Sequence, residues 1–169
     1  MQNTIKSLII TFFLFVIIIF YLSLDKEKNY DTQSLVGKKL DQISLESFNG
    51  NKLLDIKDFK KNDFTLINFW ASWCGPCRLE HSTLMMLRNT PKIKLVGINF
   101  KDKKVNAKNF LRELGNPYHF IAKDEFGKIS INFGVYGIPE SILINKELVI
   151  LHKYIGPLTD DDYSKIIKA

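Results

Sequence analysis

Both cysteines of this chain stand in one short motif, Cys74-Gly75-Pro76-Cys77, and the residues on its two sides have different periodicities. Before it, Phe64-Thr65-Leu66-Ile67-Asn68-Phe69-Trp70 is a nearly continuous apolar run, the pattern of a strand buried on both faces. After it, the stretch from Arg78 to Arg88 carries Leu79, Leu84 and Leu87 at helical spacing, with Met86 beside them. The cysteines therefore sit where a buried strand turns into a helix. With no other cysteine, the chain has no second pair for a Cys₄ zinc site and none for a long-range disulfide. Two thiols across a tight turn close and reopen a disulfide, so thiol–disulfide exchange is the first expectation. The unpaired N–H groups and positive dipole end of a helix stabilise a thiolate at Cys74. Pro76 suits the first turn, where its missing N–H is not needed. Cys74 is then the accessible nucleophile, and Cys77, inside the helix start, is the resolving thiol.

From Asn68 to Cys77 the sequence Asn-Phe-Trp-Ala-Ser-Trp-Cys-Gly-Pro-Cys resembles the thioredoxin superfamily. A second signature follows downstream, Phe133-Gly134-Val135-Tyr136-Gly137-Ile138-Pro139-Glu140-Ser141, and it resembles the segment that carries the superfamily's cis-proline. Its Gly-Val-Tyr-Gly-x-Pro-Glu form, with Cys77-Arg78-Leu79-Glu80-His81, is similar to the CcmG/DsbE type, the TlpA-like membrane-anchored oxidoreductases of cytochrome c maturation. The likeness runs from about Leu35 to near the C-terminus. It implies an α/β thioredoxin fold, a central mixed β-sheet flanked by helices. It also implies that Pro139 is cis, which turns the backbone of Ile138 toward Cys74 so that a substrate strand pairs with it and metal capture is blocked. Trp73, Gly75, Pro76, Ile138 and Pro139 are the expected docking surface.

The periodicity along the domain agrees with that fold. Gln42 to Phe48 and Lys52 to Ile56, joined by Asn49-Gly50, read as an N-terminal β-hairpin extension. Pro91 ends the helix after the cysteines, and Ile93 to Phe100 is a second buried strand. Val105 to Leu114 is a helix with Val105, Phe110, Leu111 and Leu114 on its apolar side, stopped by Gly115. Phe120 to Ala122 is a short strand. Asp124-Glu125-Phe126-Gly127 turns into a short helix near Ile129 to Phe133. Ser141 to Ile144 pairs with Leu148 to Tyr154, and Thr159 caps a last helix through Ile167.

Leu8 to Leu24 is an uncharged, mostly apolar run that, with Ile5, approaches a bilayer span. Phe20 to Leu24 offers no small-x-small cleavage site, and no cysteine follows for lipidation, so an uncleaved signal anchor is the reading favoured over a cleaved signal peptide. Lys6 before it places the short N-terminus in the cytoplasm and the remainder outside, which the resemblance to the CcmG/DsbE type makes the periplasm. The expected organisation is a transmembrane anchor over 1–24, a polar linker over 25–36 and a thioredoxin-like domain over 37–169. The net charge of +6 comes from scattered lysines. No basic cluster interleaved with aromatics appears, so the surface reads as solvated and no nucleic-acid partner is expected. Lys101-Asp102-Lys103-Lys104 is short and contains its own acid.

Resolution by Cys77 needs a carboxylate to take its proton. Asn68 stands where thioredoxin itself carries a buried acid. Glu80, one helical turn past Cys77, and Glu140, after Pro139, match acids of the CcmG/DsbE active site, and either is a candidate acceptor; Glu140 is equally a candidate for partner recognition. His81 is expected to be a half-exposed structural residue and Trp70 a core residue. No metal and no cofactor beyond the redox disulfide is expected: with His81 a zinc site still lacks a ligand. Haem attachment would need His after Cys77, where Arg78 stands. The resemblance implies reduction of apocytochrome c, or of another disulfide-bearing periplasmic protein, with a DsbD/CcdA-type membrane donor at the inner membrane. A general periplasmic reductase or isomerase is the alternative, since Gly75-Pro76 is the dipeptide of general thioredoxins. A metallochaperone using the same thiols is the third reading.

Overall fold

The computed structural model describes residues 2–24, 35–40, 43–50 and 52–168. The chain divides into two compact units, residues 1–31 and 32–169. In the first, α1 (Gln2–Leu24) is a single helix with its apolar side chains exposed over Thr4–Tyr21, which is long and apolar enough to cross a membrane. Its 23 residues span about 35 Å at the helical rise.

The second unit is built on a mixed five-stranded sheet in the order β5-β4-β3-β6-β7. The central strand β3 (Phe64–Trp70) is parallel to β4 (Ile93–Phe100) and antiparallel to β6 (Glu140–Asn145). β5 (Phe120–Asp124) lies parallel to β4, and β7 (Ile150–Ile155) antiparallel to β6. Strand periodicity divides β3 between two cores. Leu66 and Trp70 face the core that contains both cysteines, together with α4 (His81–Arg88), α5 (Lys104–Leu114) and α7 (Asp160–Ile166). Ile67 and Phe69 face the other core, with Ile98, Ile142 and Ile144. The sheet and its flanking helices agree with the expected fold.

The hairpin of β1 (Ser44–Glu46) and β2 (Leu53–Asp55) covers the second face through Leu45 and Leu54. Gly50, at φ +78°, makes the turn. A bridge from Ser47 to Ala122 and a bond from the Phe48 amide to the Ile121 carbonyl (2.8 Å) attach the hairpin to edge strand β5. The expected first-strand residue Gln42 lies outside the described residues. Ile56 is not in the second strand: it begins α2 (Ile56–Phe59), capped by a reciprocal Asp55–Asp58 box that also buries Phe59. α6 (Lys128–Asn132) lies on the same face, its first amides accepted by Asp124.

Three expectations need correction. The helix after the cysteines is two pieces, α3 (Gly75–Leu79) and α4, meeting at Glu80. Leu79 is exposed; His81, Thr83, Leu84 and Leu87 make the buried stripe. On α5, Val105 is exposed and Ala107 is buried, because the buried stripe runs through Ala107, Phe110, Leu111 and Leu114 and Val105 lies off it. Leu35 and Val36, inside the stretch read as linker, pack on the second core, and Lys39 bridges to Val149. Leu148 stands in the β6–β7 turn at φ +69° rather than in a strand.

Candidate active site

Antiparallel pairing of β3 with β6 assembles the site. Cys74 follows the C-terminal end of β3, and Pro139 precedes the N-terminal end of β6. The register of Phe69 with Glu140 puts those ends side by side. Two motifs distant in sequence therefore share one edge of the sheet. The Ile138–Pro139 bond is cis. Pro139 is buried with its carbonyl accepting from the Gly156 amide at 3.0 Å, and Ile138 is half-buried against both cores. Among the described residues nothing hydrogen-bonds to the Ile138 backbone.

Cys74 and Cys77 form a disulfide. Cys74 is the N-cap of α3, and the Cys77 amide donates to its sulfur at 3.1 Å, the helix-terminal contact that stabilises a thiolate. Cys74 is 4% exposed and Cys77 2%. In the oxidised pair the expected difference in accessibility is therefore missing, because Trp73, Gly75 and Pro76 lie exposed around them instead. Trp73 is 58% exposed and donates its indole N–H to the Lys101 carbonyl at 3.2 Å.

Glu80 is fully buried on the same helical face as Cys77. Its Oε1 accepts from the Asn68 side-chain amide (2.8 Å) and its Oε2 from the Leu158 amide (2.9 Å). Burial raises its pKa to about 7 against the opposing pull of those two bonds. Asn68 also donates to Ser141 Oγ (3.0 Å) and accepts from the Tyr118 hydroxyl (2.7 Å). Tyr118 stacks on Trp70, and burial, then the Glu80 charge, pushes its hydroxyl pKa well up. Gly97 makes room for this layer: a Cβ there would stand 2.7 Å from Tyr118 and 2.8 Å from Trp70.

Glu140 is buried too, but its partners are different. Its Oε1 accepts from the Tyr136 (2.9 Å) and Gly137 (3.0 Å) amides. Its Oε2 lies 2.9 Å from Lys153 Nζ, an ionic contact without the directionality of a hydrogen bond. His81 is more buried than expected. It contacts the Gly115 carbonyl through Nε2 (3.1 Å) and Phe110 edge-on, and burial lowers its pKa. Among the described residues no group of three or more His, Cys, Asp or Glu side chains is placed to hold a metal ion.

Two residues that the sequence did not single out belong to this site. Asp102 accepts from the Ser72 amide (2.7 Å) and hydroxyl (2.8 Å) and from Asn99 (3.1 Å), pinning the loop just before Trp73. It is thus not the acid that balances its neighbouring lysines. Lys153, a cation inside an otherwise half-apolar strand, was the available signal for the second.

Residues 35–167 match the sequence model of the family described as Redoxin. The thiol:disulfide interchange protein HelX of Rhodobacter capsulatus is 37% identical over 134 residues, covering 79% of this chain and 76% of that protein. DsbE of Pasteurella multocida is 31% identical over 170 residues, covering 96% and 93%. CycY of Rhizobium leguminosarum bv. viciae is 50% identical over 100 residues, 59% of this chain; the match spans only 54% of CycY. A solved structure described as a thiol:disulfide interchange protein DsbE, from Chlorobium tepidum, superposes with a TM-score of 0.64 at 27% identity, covering 77% of this chain and 92% of that one. A thioredoxin-like sheet with a Cys-x-x-Cys disulfide at a helix start defines a thiol:disulfide oxidoreductase. The chain belongs to the Redoxin family and, within it, to the thiol:disulfide interchange proteins of the DsbE type.

Proposed function

We propose that this chain is a membrane-anchored reductase, its catalytic domain in the periplasm, that keeps the Cys-x-x-Cys-His haem-attachment site of apocytochrome c reduced. The observation that carries the reading is the convergence of the Cys74–Cys77 disulfide, the cis Ile138–Pro139 bond and a buried Glu80 of near-neutral pKa. The cytochrome substrate rests on the likeness to the CcmG/DsbE type.

In the proposed cycle an extended substrate segment lies along Ile138, whose amide and carbonyl are open to pair with it. The Cys74 thiolate attacks one substrate sulfur, forming a mixed disulfide and releasing the other sulfur as a thiolate that takes up a proton. Cys77 then attacks Cys74, the second substrate sulfur leaves, and Cys74–Cys77 is oxidised by the two electrons the substrate has gained. The Cys77 proton goes to Glu80, which at a pKa of about 7 is part-ionised at neutral pH and so matched to the task. Glu140, held on both oxygens, is assigned to the loop and not to the proton. A DsbD/CcdA-type membrane protein re-reduces the pair. The apolar helix α1 supports an inner-membrane anchor over 1–24, followed by a linker that ends where Leu35 joins the core.

The test is trapping. Cys77→Ser leaves Cys74 unable to release its partner, so the protein joined to it in cells identifies the substrate. Recovery of an apocytochrome c supports the reading. Recovery of many unrelated periplasmic proteins and no apocytochrome favours the general reductase, in line with the Gly75-Pro76 dipeptide.

A further inference from the structure

We propose that Lys153 is a positioning residue for substrate docking: through Glu140 it holds the cis-proline loop in the form that presents Ile138 to an extended polypeptide. The inference rests on the docking role given to Ile138 above.

Lys153 comes from β7, outside both sequence motifs. Its side chain is 1% exposed and that of Glu140 3%, so both charges have been taken out of water. A buried ammonium persists only with partners that repay its lost hydration. Among the described residues, the partners of Lys153 lie within the short stretch from Gly134 to Glu140, the proline loop and the first residue of β6. Nζ lies 2.9 Å from Glu140 Oε2, donates to the Gly134 carbonyl, and stands 5.4 Å from the centre of the Tyr136 ring. Glu140 passes the constraint on, its other oxygen taking the Tyr136 and Gly137 amides. Pro139 is tied separately, its carbonyl accepting from Gly156. The Gly137 amide before Ile138 and the Pro139 carbonyl after it are thereby occupied, and among the described residues the Ile138 amide and carbonyl are left as the open pairing edge.

A buried ion pair is poor evidence of stability, since apolar replacements of similar volume are often as stable. What an apolar side chain at Lys153 cannot do is direct Glu140 and the Gly134 carbonyl. The ligand that feels this is one that uses backbone hydrogen bonds, an extended disulfide-bearing polypeptide. A small disulfide that only meets Cys74 does not.

The experiment uses the full chain in detergent, reduced beforehand, as wild type and as Lys153→Met, Lys153→Gln and Lys153→Arg. Each is assayed with a short peptide holding a Cys-x-x-Cys disulfide and with a small aromatic disulfide. The expected result is a peptide KM raised about tenfold in the Met and Gln variants, the scale of one or two backbone hydrogen bonds, with peptide kcat and the small-disulfide rate held and KM restored by Arg. If Lys153→Met does not fold, Lys153→Gln carries the test, because it can still donate to Gly134 but lacks the charge. An unchanged peptide KM overturns the inference. So does a parallel loss with both substrates, which marks a purely structural role. If the wild type shows no saturation by the peptide, the docking reading of Ile138 itself has failed, and the assignment of Lys153 falls with it.

Discussion

The side chain of Asn68, in the middle of the central strand, donates a 2.8 Å hydrogen bond to Glu80 at the junction of the two helical pieces, and neither residue is exposed. An amide donor from the sheet thus holds a carboxylate on the helix that carries Cys77. Asn68 takes no proton itself. It aims the acid, and Tyr118 and Ser141 in turn fix the Asn68 amide.

Thiol reactivity follows from the N-cap geometry. In the oxidised structure the Cys77 amide donates to the Cys74 sulfur, whereas Cys77 lies within the first turn of α3, and the same N-cap position favours a thiolate at Cys74 after reduction. Brief alkylation near neutral pH, read by peptide mass spectrometry, should label Cys74 first. Equal labelling, or Cys77 first, assigns the roles wrongly.

Resolution of the mixed disulfide should depend on Glu80. Glu80→Gln keeps the size and removes the base, and the expected loss in the release step is about 10²-fold, with formation of the mixed disulfide little changed. The deficit should shrink as pH rises and the Cys77 thiol ionises unaided. Stopped-flow measurement of both steps across pH decides it, and wild-type release rates in the variant would leave the proton to water or substrate.

Glu80 also links stability to pH. Its pKa is raised from 4.5 to about 7 in the fold, chiefly by burial. Below 4.5 both states are protonated and nothing is lost. From there to about 7 the unfolded chain releases a proton that the folded one keeps, so stability falls as pH rises; above 7 the loss is complete. That shift corresponds to a cost on the order of 3 kcal/mol. Denaturant unfolding of the oxidised protein between pH 4 and 8 should therefore show a decline in the wild type that Glu80→Gln lacks.

Asp102 should matter to the loop before the cysteines. Asp102→Ala leaves the Ser72 amide and hydroxyl and the Asn99 amide without their acceptor. The expected cost is about 1–3 kcal/mol in stability, with slower reaction of Cys74 toward a peptide disulfide. A variant that matches the wild type in both would make the contacts incidental.

The anchor is tested separately. Alkaline carbonate should not extract the full-length protein from membranes. A version starting near Lys26 should be soluble and keep insulin-reducing activity, because the core begins at Leu35. Release of the intact chain by carbonate would rule out a spanning helix.

Much of the site was legible because local patterns carry it. The apolar run of β3, the Asn49-Gly50 turn and the Thr159 cap all act over a few residues, and each element formed where its pattern stands. Errors fell where local pattern and packing part ways. Leu79 has helical spacing yet points to solvent, because the chain reorients at Glu80 and gives the core side to His81 and Leu84. Asp102 drew notice only as an acid within a run of lysines, yet its carboxylate reaches back to Ser72.

From the sequence alone came the pairing of the two cysteines, the strand-to-helix junction that puts Cys74 at a helix N-terminus, and an apolar helix long enough for a membrane. These depend on neighbours along the chain, whose distances are set by covalent geometry. The tertiary structure decided the rest. Which acid Asn68 holds, which one clamps the proline loop, and which cation satisfies that clamp depend on side chains brought together by packing of the helices on β3 and by the β6–β7 pairing. Glu80 and Glu140 were alike as letters. Burial makes one a near-neutral acid, against the pull of its bonds from Asn68 and the Leu158 amide, while Lys153 and two loop amides hold the other in the proline loop.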